Sequence, residues 1–168
     1  MLGFKIDDYA STFGIVRAHV LLDASTPFTQ DSLIDALRRG RVFIGLDATG
    51  DTDGFRFTAE TANGTAVMGD TITVTGGEHV RLKAAANRPA RFVFLKNGVV
   101  AAVSSESGEL SSSQQTVAVE PGVYRVEVYL DSLGAPFNKM PWIISNPIYI
   151  RPAAAQPANE NGDANIKR

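Results

Sequence analysis

The sequence lacks cysteine altogether and has only two histidines, His19 and His79. The absence of cysteine excludes disulfides, thiolate catalysis and cysteine-ligated metal sites, and it leaves the cellular compartment open. A hydrolytic metal site usually needs three or more His, Asp or Glu ligands that converge on the ion. Two distant histidines do not supply such a set, so we expect no metal and no other cofactor.

The charges are sparse and nearly balanced, with 16 Lys and Arg against 18 Asp and Glu and a net charge of -2. Nucleic-acid-binding domains usually carry a basic patch or stripe, whereas here only Arg38, Arg39 and Arg41 cluster. The longest apolar runs are far shorter than the roughly 20 residues that a membrane-spanning helix needs. We therefore expect neither nucleic acid nor a membrane as a partner.

Residues 15–40 have the pattern of a strand, a loop and a helix. The run "IVRAHVLL" has the length of an apolar strand, and Thr29 suits the N-cap of the helix that follows. Gly40 suits the position just after the helix, where the backbone often turns left-handed. Three apolar residues of this helix fall on one face: Leu33, Ile34 and Leu37.

From residue 41 onward the sequence favours short strands with period-two alternation, as in "FRFTAET". Asn97-Gly98 between two apolar runs is the strongest short signal for a β-hairpin. Alternation of this kind leaves one face of a sheet wet and the other buried, which two sheets packed face to face satisfy. We predict a mainly β protein, an immunoglobulin-like β-sandwich over 41–151, in which the Tyr124 hydroxyl bonds back to nearby backbone.

The segment "WIISNPIYI" is predicted as the last strand, with a buried Trp142 and with Pro147 at a bulge or an edge because it cannot donate a ladder hydrogen bond. Residues 152–168 have too little apolar surface to offset the entropy of ordering, so we expect a disordered tail. The domain organisation predicted is thus 1–40, 41–151 and 152–168.

Three segments follow one another in the sequence: "HVLLDASTPFTQDSLIDALRRGRVFIGLD", "PGVYRVEVYL" and "PWIISNPIYIR". Their order resembles the C-terminal part of PHP-superfamily metal-dependent hydrolases, most closely the CehA/McbA type. In that group a metal-binding αβ barrel precedes an immunoglobulin-like domain. The join between the two, "AL-x-x-GR-hydrophobic", is matched by Ala36, Leu37, Gly40, Arg41, Val42 and Phe43. The closing "PW-I-x-SNPI-Y" is matched by Pro141, Trp142, Ile143, Ser145, Asn146, Pro147, Ile148 and Tyr149.

The resemblance implies that residues 1–40 are the last part of such a barrel. The metal site of the family is built on an H-x-H pair and a D-x-H, and this sequence contains neither motif. No metal ligand of the family therefore maps onto a residue of this chain, and we predict that the chain itself is not an enzyme.

Other polar and aromatic clusters have unremarkable interpretations. Asp47, Asp51 and Asp53 have ligand-like spacing, but position 58 is Thr where a calcium loop needs Glu, so a solvated turn is expected. His19 is expected to be structural. The serine-rich stretch 104–114 is predicted to be a loop between strands. Four late aromatic residues could instead line a sugar-binding surface: Tyr129, Phe137, Trp142 and Tyr149.

The function that we favour is an accessory domain that supports a PHP-type barrel or mediates assembly. The alternative is a stand-alone module that binds carbohydrate or protein, and an active small hydrolase is a third reading. The N-terminal segment carries apolar residues shaped for a neighbour, so we expect it to contact either the barrel domain or a second copy in a dimer. The candidate interface residues are Val16, Val20, Leu22, Leu33 and Leu37.

Overall fold

A computed structural model of the chain describes residues 13–62, 64–75, 78, 80–104, 112–114 and 120–153, with only the backbone described at 112–114. His79 and nearly all of the predicted tail lie outside these ranges, as does most of the predicted loop at 104–114.

One α-helix, α1 (Gln30–Arg38), is present in the described part and is capped at both ends. Thr29 and Ser32 form a capping box, in which the Ser32 amide donates to Thr29 Oγ1 at 3.1 Å and the Thr29 amide donates to Ser32 Oγ at 2.9 Å. Gly40 follows the helix with φ of 71°, the left-handed conformation that glycine adopts without strain. The predicted helix, its N-cap and its terminating glycine are confirmed.

Twelve strands are described, most of them short. They are β1 (Arg17–Val20), β2 (Val42–Gly45), β3 (Arg56–Thr61), β4 (Gly64–Val67), β5 (Thr71–Val74), β6 (Arg81–Ala85), β7 (Arg91–Lys96), β8 (Val99–Ser104), β9 (Ser112–Gln114), β10 (Gly122–Tyr129), β11 (Ile143–Ser145) and β12 (Ile148–Pro152). Short 3-10 helices cover Asp47–Thr49 and Phe137–Lys139.

The strands form two sheets. The small sheet has the order β4-β3-β6-β9. In the large sheet, β11 and β12 lie along one edge of β10, and β7 lies along the other edge. The sheet continues from β11 to β2 and β1, from β12 to β5, and from β7 to β8. All pairs are antiparallel except β12 with β5. The core lies between the two sheets, and its largest fully buried side chains include Trp142, Phe55, Phe57, Phe92 and Phe94. The prediction of a mainly β sandwich with a short strand-loop-helix segment before it is confirmed.

The last predicted strand is interrupted. Residues 142–150 contain two strands, β11 and β12, because Asn146-Pro147 breaks the ladder between them. Both halves lie along the same edge of β10, while β7 pairs along its other edge. The prediction of one continuous strand is therefore wrong in detail, and each half has a different outer neighbour, β2 for β11 and β5 for β12.

Two further strands depart from the sequence interpretation. β4 forms a hairpin with β3 that the pattern does not predict, since "GTAV" contains glycine and little branched apolar surface. β9 lies inside the stretch predicted as a loop, and it pairs with β6. β1, from the predicted barrel segment, pairs with β2 along its whole length and so is the edge strand of the large sheet.

Candidate functional site

A polar cluster joins β1 to the 3-10 helix after β2, and we call it the His19 cluster: His19, Asp47 and Thr52. His19 Nε2 lies 2.9 Å from Asp47 Oδ2 and 2.9 Å from Thr52 Oγ1. Thr52 donates to the other carboxylate oxygen of Asp47. Because a carboxylate only accepts, the network places a proton on His19 Nε2. The imidazole also stacks on Phe43, with ring centroids 4.6 Å apart.

Asp47 is held in its charged form. Its side chain is 4% exposed and pairs with Arg17 at 2.9 Å as well as with His19. Burial disfavours the charge, but hydrogen bonds from Thr52 and His19 and the charges of His19 and Arg17 outweigh it, so the pKa of Asp47 lies below its ordinary value. The prediction of a solvated turn is wrong for Asp47 for this reason.

The other two acidic residues of the predicted turn behave as expected. Asp51 and Asp53 are exposed, and Asp51 Oδ1 accepts a hydrogen bond from the Asp53 amide at 2.9 Å, which is the geometry of a turn. His19 Nδ1 lies 3.6 Å from Asp53 Oδ1, beyond hydrogen-bond distance. No group of three or more His, Asp or Glu within the described ranges could hold a metal ion.

The His19 cluster has the residue types of a nucleophilic site but not its geometry. A hydroxyl nucleophile must be accessible and must give its proton to the imidazole. Thr52 is buried, and its proton goes to Asp47 instead. The cluster therefore ties β1 to the loop after β2, which agrees with the structural role expected for His19.

Four of the motif residues meet at one place with Asp70, which lies outside the motifs. We call this place the Gly40–Asn146 junction: Gly40, Arg41, Asp70, Asn146 and Pro147. Asn146 Nδ2 donates to the Gly40 carbonyl at 2.9 Å, and the Gly69 amide donates to the Pro147 carbonyl at 2.8 Å. Arg41 reaches Asp70 at 3.2 Å. The junction thus connects the end of α1, the β4–β5 turn and the break between β11 and β12.

Gly69 is required at this junction by close approach. It has φ of 89°, and a side chain there would collide with the carbonyl oxygen of Arg39. Asp70, which no motif singles out, accepts from both Arg41 and the Val67 amide. The Gly69-Asp70 pair in the sequence is a recognisable turn signal, but its link to Arg41 depends on packing between distant segments.

Ser145 and Trp142 are fixed inside the sandwich. Ser145 is buried, and its Oγ accepts a hydrogen bond from the Val126 amide at 2.8 Å. Trp142 is 2% exposed, and its indole donates to the Gly50 carbonyl at 3.0 Å. Pro141 precedes it at a half-buried position. The predicted burial of Trp142 is confirmed, so the proposed sugar-binding surface loses its largest aromatic.

Tyr124 makes the bond expected of it. The buried side chain of Tyr124 donates from its hydroxyl to the Glu120 carbonyl at 2.8 Å, four residues upstream. Tyr129, on the opposite face of β10, donates to Glu127 at 2.7 Å and stacks under Arg91. Burial, followed by the bond to Glu127, raises the pKa of Tyr129 to about 12.

Apolar side chains remain exposed on the N-terminal segment. We call them the N-terminal apolar surface: Phe13, Ile15, Val16, Phe28 and Leu37. Two of them, Val16 and Leu37, are among the predicted interface residues. The other three predicted residues are half-buried: Val20, Leu22 and Leu33.

An open groove of about 370 Å³ lies between β4 and β5, the edge strands of the two sheets. Half of the residues that line it are threonines. The lining residues are Thr61, Gly64, Thr65, Ala66, Asp70, Thr71, Ile72 and Thr73. The sequence signal for it is the alternation "TITVT", which places threonines on one face of β5.

No family model, no curated protein and no solved structure matches this chain. The fold and the contacts above define a β-sandwich, and the resemblance to the PHP superfamily stays a prediction drawn from the motif residues. Within the described part, no helix is long and apolar enough to cross a membrane.

Proposed function

We propose that this chain is a non-catalytic accessory domain of a PHP-type metallohydrolase, which supports the barrel or mediates assembly. The observation that carries the proposal is the N-terminal apolar surface, five large apolar side chains left exposed between residues 13 and 37. Five exposed apolar side chains on one short segment support an interface there, since burying apolar area contributes roughly 25 cal/mol per Å².

The Gly40–Asn146 junction supports the proposal. Leu37 stands three residues before Gly40, whose carbonyl is held by Asn146 at 2.9 Å. The His19 cluster ties β1 to the loop after β2, through Asp47. An interface is more effective when its side chains are presented on a fixed frame, because less ordering entropy is lost on binding.

The first experiment concerns the gene. We expect an in-frame PHP-type barrel, with H-x-H and D-x-H motifs, to be encoded upstream of this domain. The barrel and this domain, produced as separate chains, should then form a complex in size-exclusion chromatography. An unrelated upstream sequence would contradict the proposal.

Paired variants test which surface holds the barrel. Val16→Lys with Leu37→Lys should abolish the complex, because these side chains are 52% and 47% exposed and would bury two charges in the interface. Phe137→Lys with Met140→Lys is the matched control, at 49% and 44% exposure on the 3-10 helix region. The proposal fails if the control pair disrupts the complex and the N-terminal pair does not.

The non-catalytic part of the proposal is tested on the isolated chain. Nitrophenyl ester and nitrophenyl phosphate should hydrolyse at the buffer rate in the presence of added manganese. Metal-dependent turnover that survives repurification would overturn it.

The threonine-lined groove favours the alternative function, a stand-alone carbohydrate- or protein-binding module. Hydroxyls of Thr65, Thr71 and Thr73 could hydrogen-bond a polar ligand there. Screening the chain against a glycan array and an extended-peptide library tests this alternative. Binding that is lost in Thr71→Ala with Thr73→Ala would favour it over the accessory-domain proposal.

A further inference from the structure

Strand β8 lies at the edge of the large sheet and has one strand partner, β7, among the described residues. Its six residues, "VVAAVS", contain no charge and no proline. Natural proteins usually protect sheet edges with such residues or with β-bulges, because an edge offers unpaired amide and carbonyl groups to any other strand. Of these devices β8 has only an irregularity in its register with β7, between Phe94 and Leu95. The opposite edge, β1, carries Arg17 and His19.

The three valines of β8 are exposed. Val100 and Val103 are 56% and 49% exposed, and Val99 is exposed as well. Val103 pairs with Val93 and Val100 pairs with Leu95, with a register shift between Phe94 and Leu95. A shift of this kind adds one residue to β8, so two valines three positions apart fall on the same face of the sheet.

That face is the outer one, away from the core. Val93 and Leu95 pair with Glu127 and Arg125 of β10, whereas the residues between them pack into the core. Val93 and Leu95 are nevertheless buried. The outer face at this edge is therefore an apolar stripe of four residues: Val93, Leu95, Val100 and Val103.

We propose that β8 pairs antiparallel with β8 of a second copy of this chain, which joins the two large sheets edge to edge in a symmetric dimer. With a twofold axis perpendicular to the sheet between Ala101 and Ala102, Val100 of one copy lies opposite Val103 of the other. Such an axis keeps both outer faces on the same side. The two apolar stripes then become continuous.

The strand is complementary to itself in this register. Ala101 lies opposite Ala102, so the closest approach at the axis involves only small side chains. The pairing brings no like charges together, because β8 has none. A partner strand with charges or proline would lose one of these features. The β8 strand of a second copy has neither, so it is the occupant that fits. This inference is independent of the accessory-domain proposal, which concerns the N-terminal apolar surface.

Light scattering coupled to size exclusion tests the dimer. The wild-type chain should have twice the 18.0 kDa chain mass at high micromolar concentration. Val100→Lys with Val103→Lys should give a monomer that keeps its circular dichroism spectrum. The control pair, Phe137→Lys with Met140→Lys, has similar exposure at 49% and 44% and should remain dimeric. A wild-type monomer, or a dimer that only the control pair dissociates, would overturn the proposal.

Cross-linking tests the register without adding charge. The chain has no cysteine, so Val100→Cys with Val103→Cys introduces only the two positions that face each other across the axis. Opposed residues on antiparallel strands have Cα atoms about 4.5–5.5 Å apart, within the range that a disulfide spans. Mild oxidation should give a covalent dimer of the double variant and little from Val100→Cys alone. A double variant that stays monomeric after oxidation would disprove this register.

Discussion

Asn146 and Gly40, 106 positions apart in sequence, are joined by one hydrogen bond of 2.9 Å from the Asn146 side chain to the Gly40 carbonyl. That carbonyl lies just beyond the end of α1, where the backbone leaves the helix. The bond therefore fixes the helical segment to the break between β11 and β12.

Asn146→Ala should destabilise the protein by about 1 kcal/mol, because the partly buried Gly40 carbonyl loses its donor. Urea denaturation monitored by tryptophan fluorescence measures the change. Asn87→Ala is the control, since Asn87 also donates to a backbone carbonyl at 2.9 Å but is exposed. Equal losses from the two variants would show that burial at the junction contributes nothing.

Trp142→Ala should cost about 3–5 kcal/mol, the usual loss for truncating a large buried aromatic. The side chain fills the core and its indole donates to the Gly50 carbonyl, so both packing and a hydrogen bond are lost. Thermal unfolding followed by circular dichroism measures the effect. Phe137→Ala, at a half-exposed aromatic, should change the melting temperature little; similar shifts for both would contradict the burial of Trp142.

Asp47→Asn should make the free energy of unfolding depend less on pH in the acidic range. The pKa of Asp47 is lower in the folded chain than its ordinary value of 3.8. Its contribution is therefore fully present above the unfolded-state pKa and is lost as pH falls through the folded-state value. The free energy of unfolding, measured in urea from pH 7 to pH 3, should fall more steeply in the wild type than in the variant.

Asp51→Asn is the control for this experiment. Asp51 belongs to the same loop but is exposed, and asparagine keeps the oxygen that accepts from the Asp53 amide. Its pH profile should follow that of the wild type. An Asp47→Asn profile that does the same would argue against the His19 cluster as a source of acid sensitivity.

Tyr124→Phe should destabilise the protein by about 0.5–1.5 kcal/mol, the net value of a typical hydrogen bond. The variant keeps the buried ring and removes only the hydroxyl that donates to the Glu120 carbonyl. Tyr149→Phe, on β12, makes the same chemical change at a half-buried site and should be closer to neutral. Chemical denaturation of both variants decides whether the bond from Tyr124 to the Glu120 carbonyl contributes to the free energy of unfolding.

Local sequence signals predict the elements whose contacts are local. Thr29 and Gly40 delimit α1 because capping depends on residues within one helical turn, and Asn97-Gly98 marks the β7–β8 hairpin because its turn needs positive φ. Alternation predicts which face of β10 is buried. Burial of Trp142 follows from its apolar surroundings in the chain.

Distant contacts are not visible in the same way. The His19 cluster exists because β1 pairs with β2 and brings His19 beside Asp47, 28 positions later. The break at Asn146-Pro147 is suggested by proline, but its position in the sheet is set by two different outer neighbours. The apolar stripe across β7 and β8 depends on a register shift, which period-two counting along a single strand does not reveal.

The place of β10 in the large sheet bears on how the chain folds as it is synthesised. β10 pairs with β7, β11 and β12, and β11 and β12 in turn hold β2 and β5. During translation the ribosome therefore releases β1, β2, β5, β7 and β8 before the strands that unite them. Within the large sheet, only the β1–β2 and β7–β8 pairs can form until residues 122–152 emerge, so this sheet closes late. Nascent chains of this protein should depend on chaperones more than a chain whose neighbouring strands are consecutive.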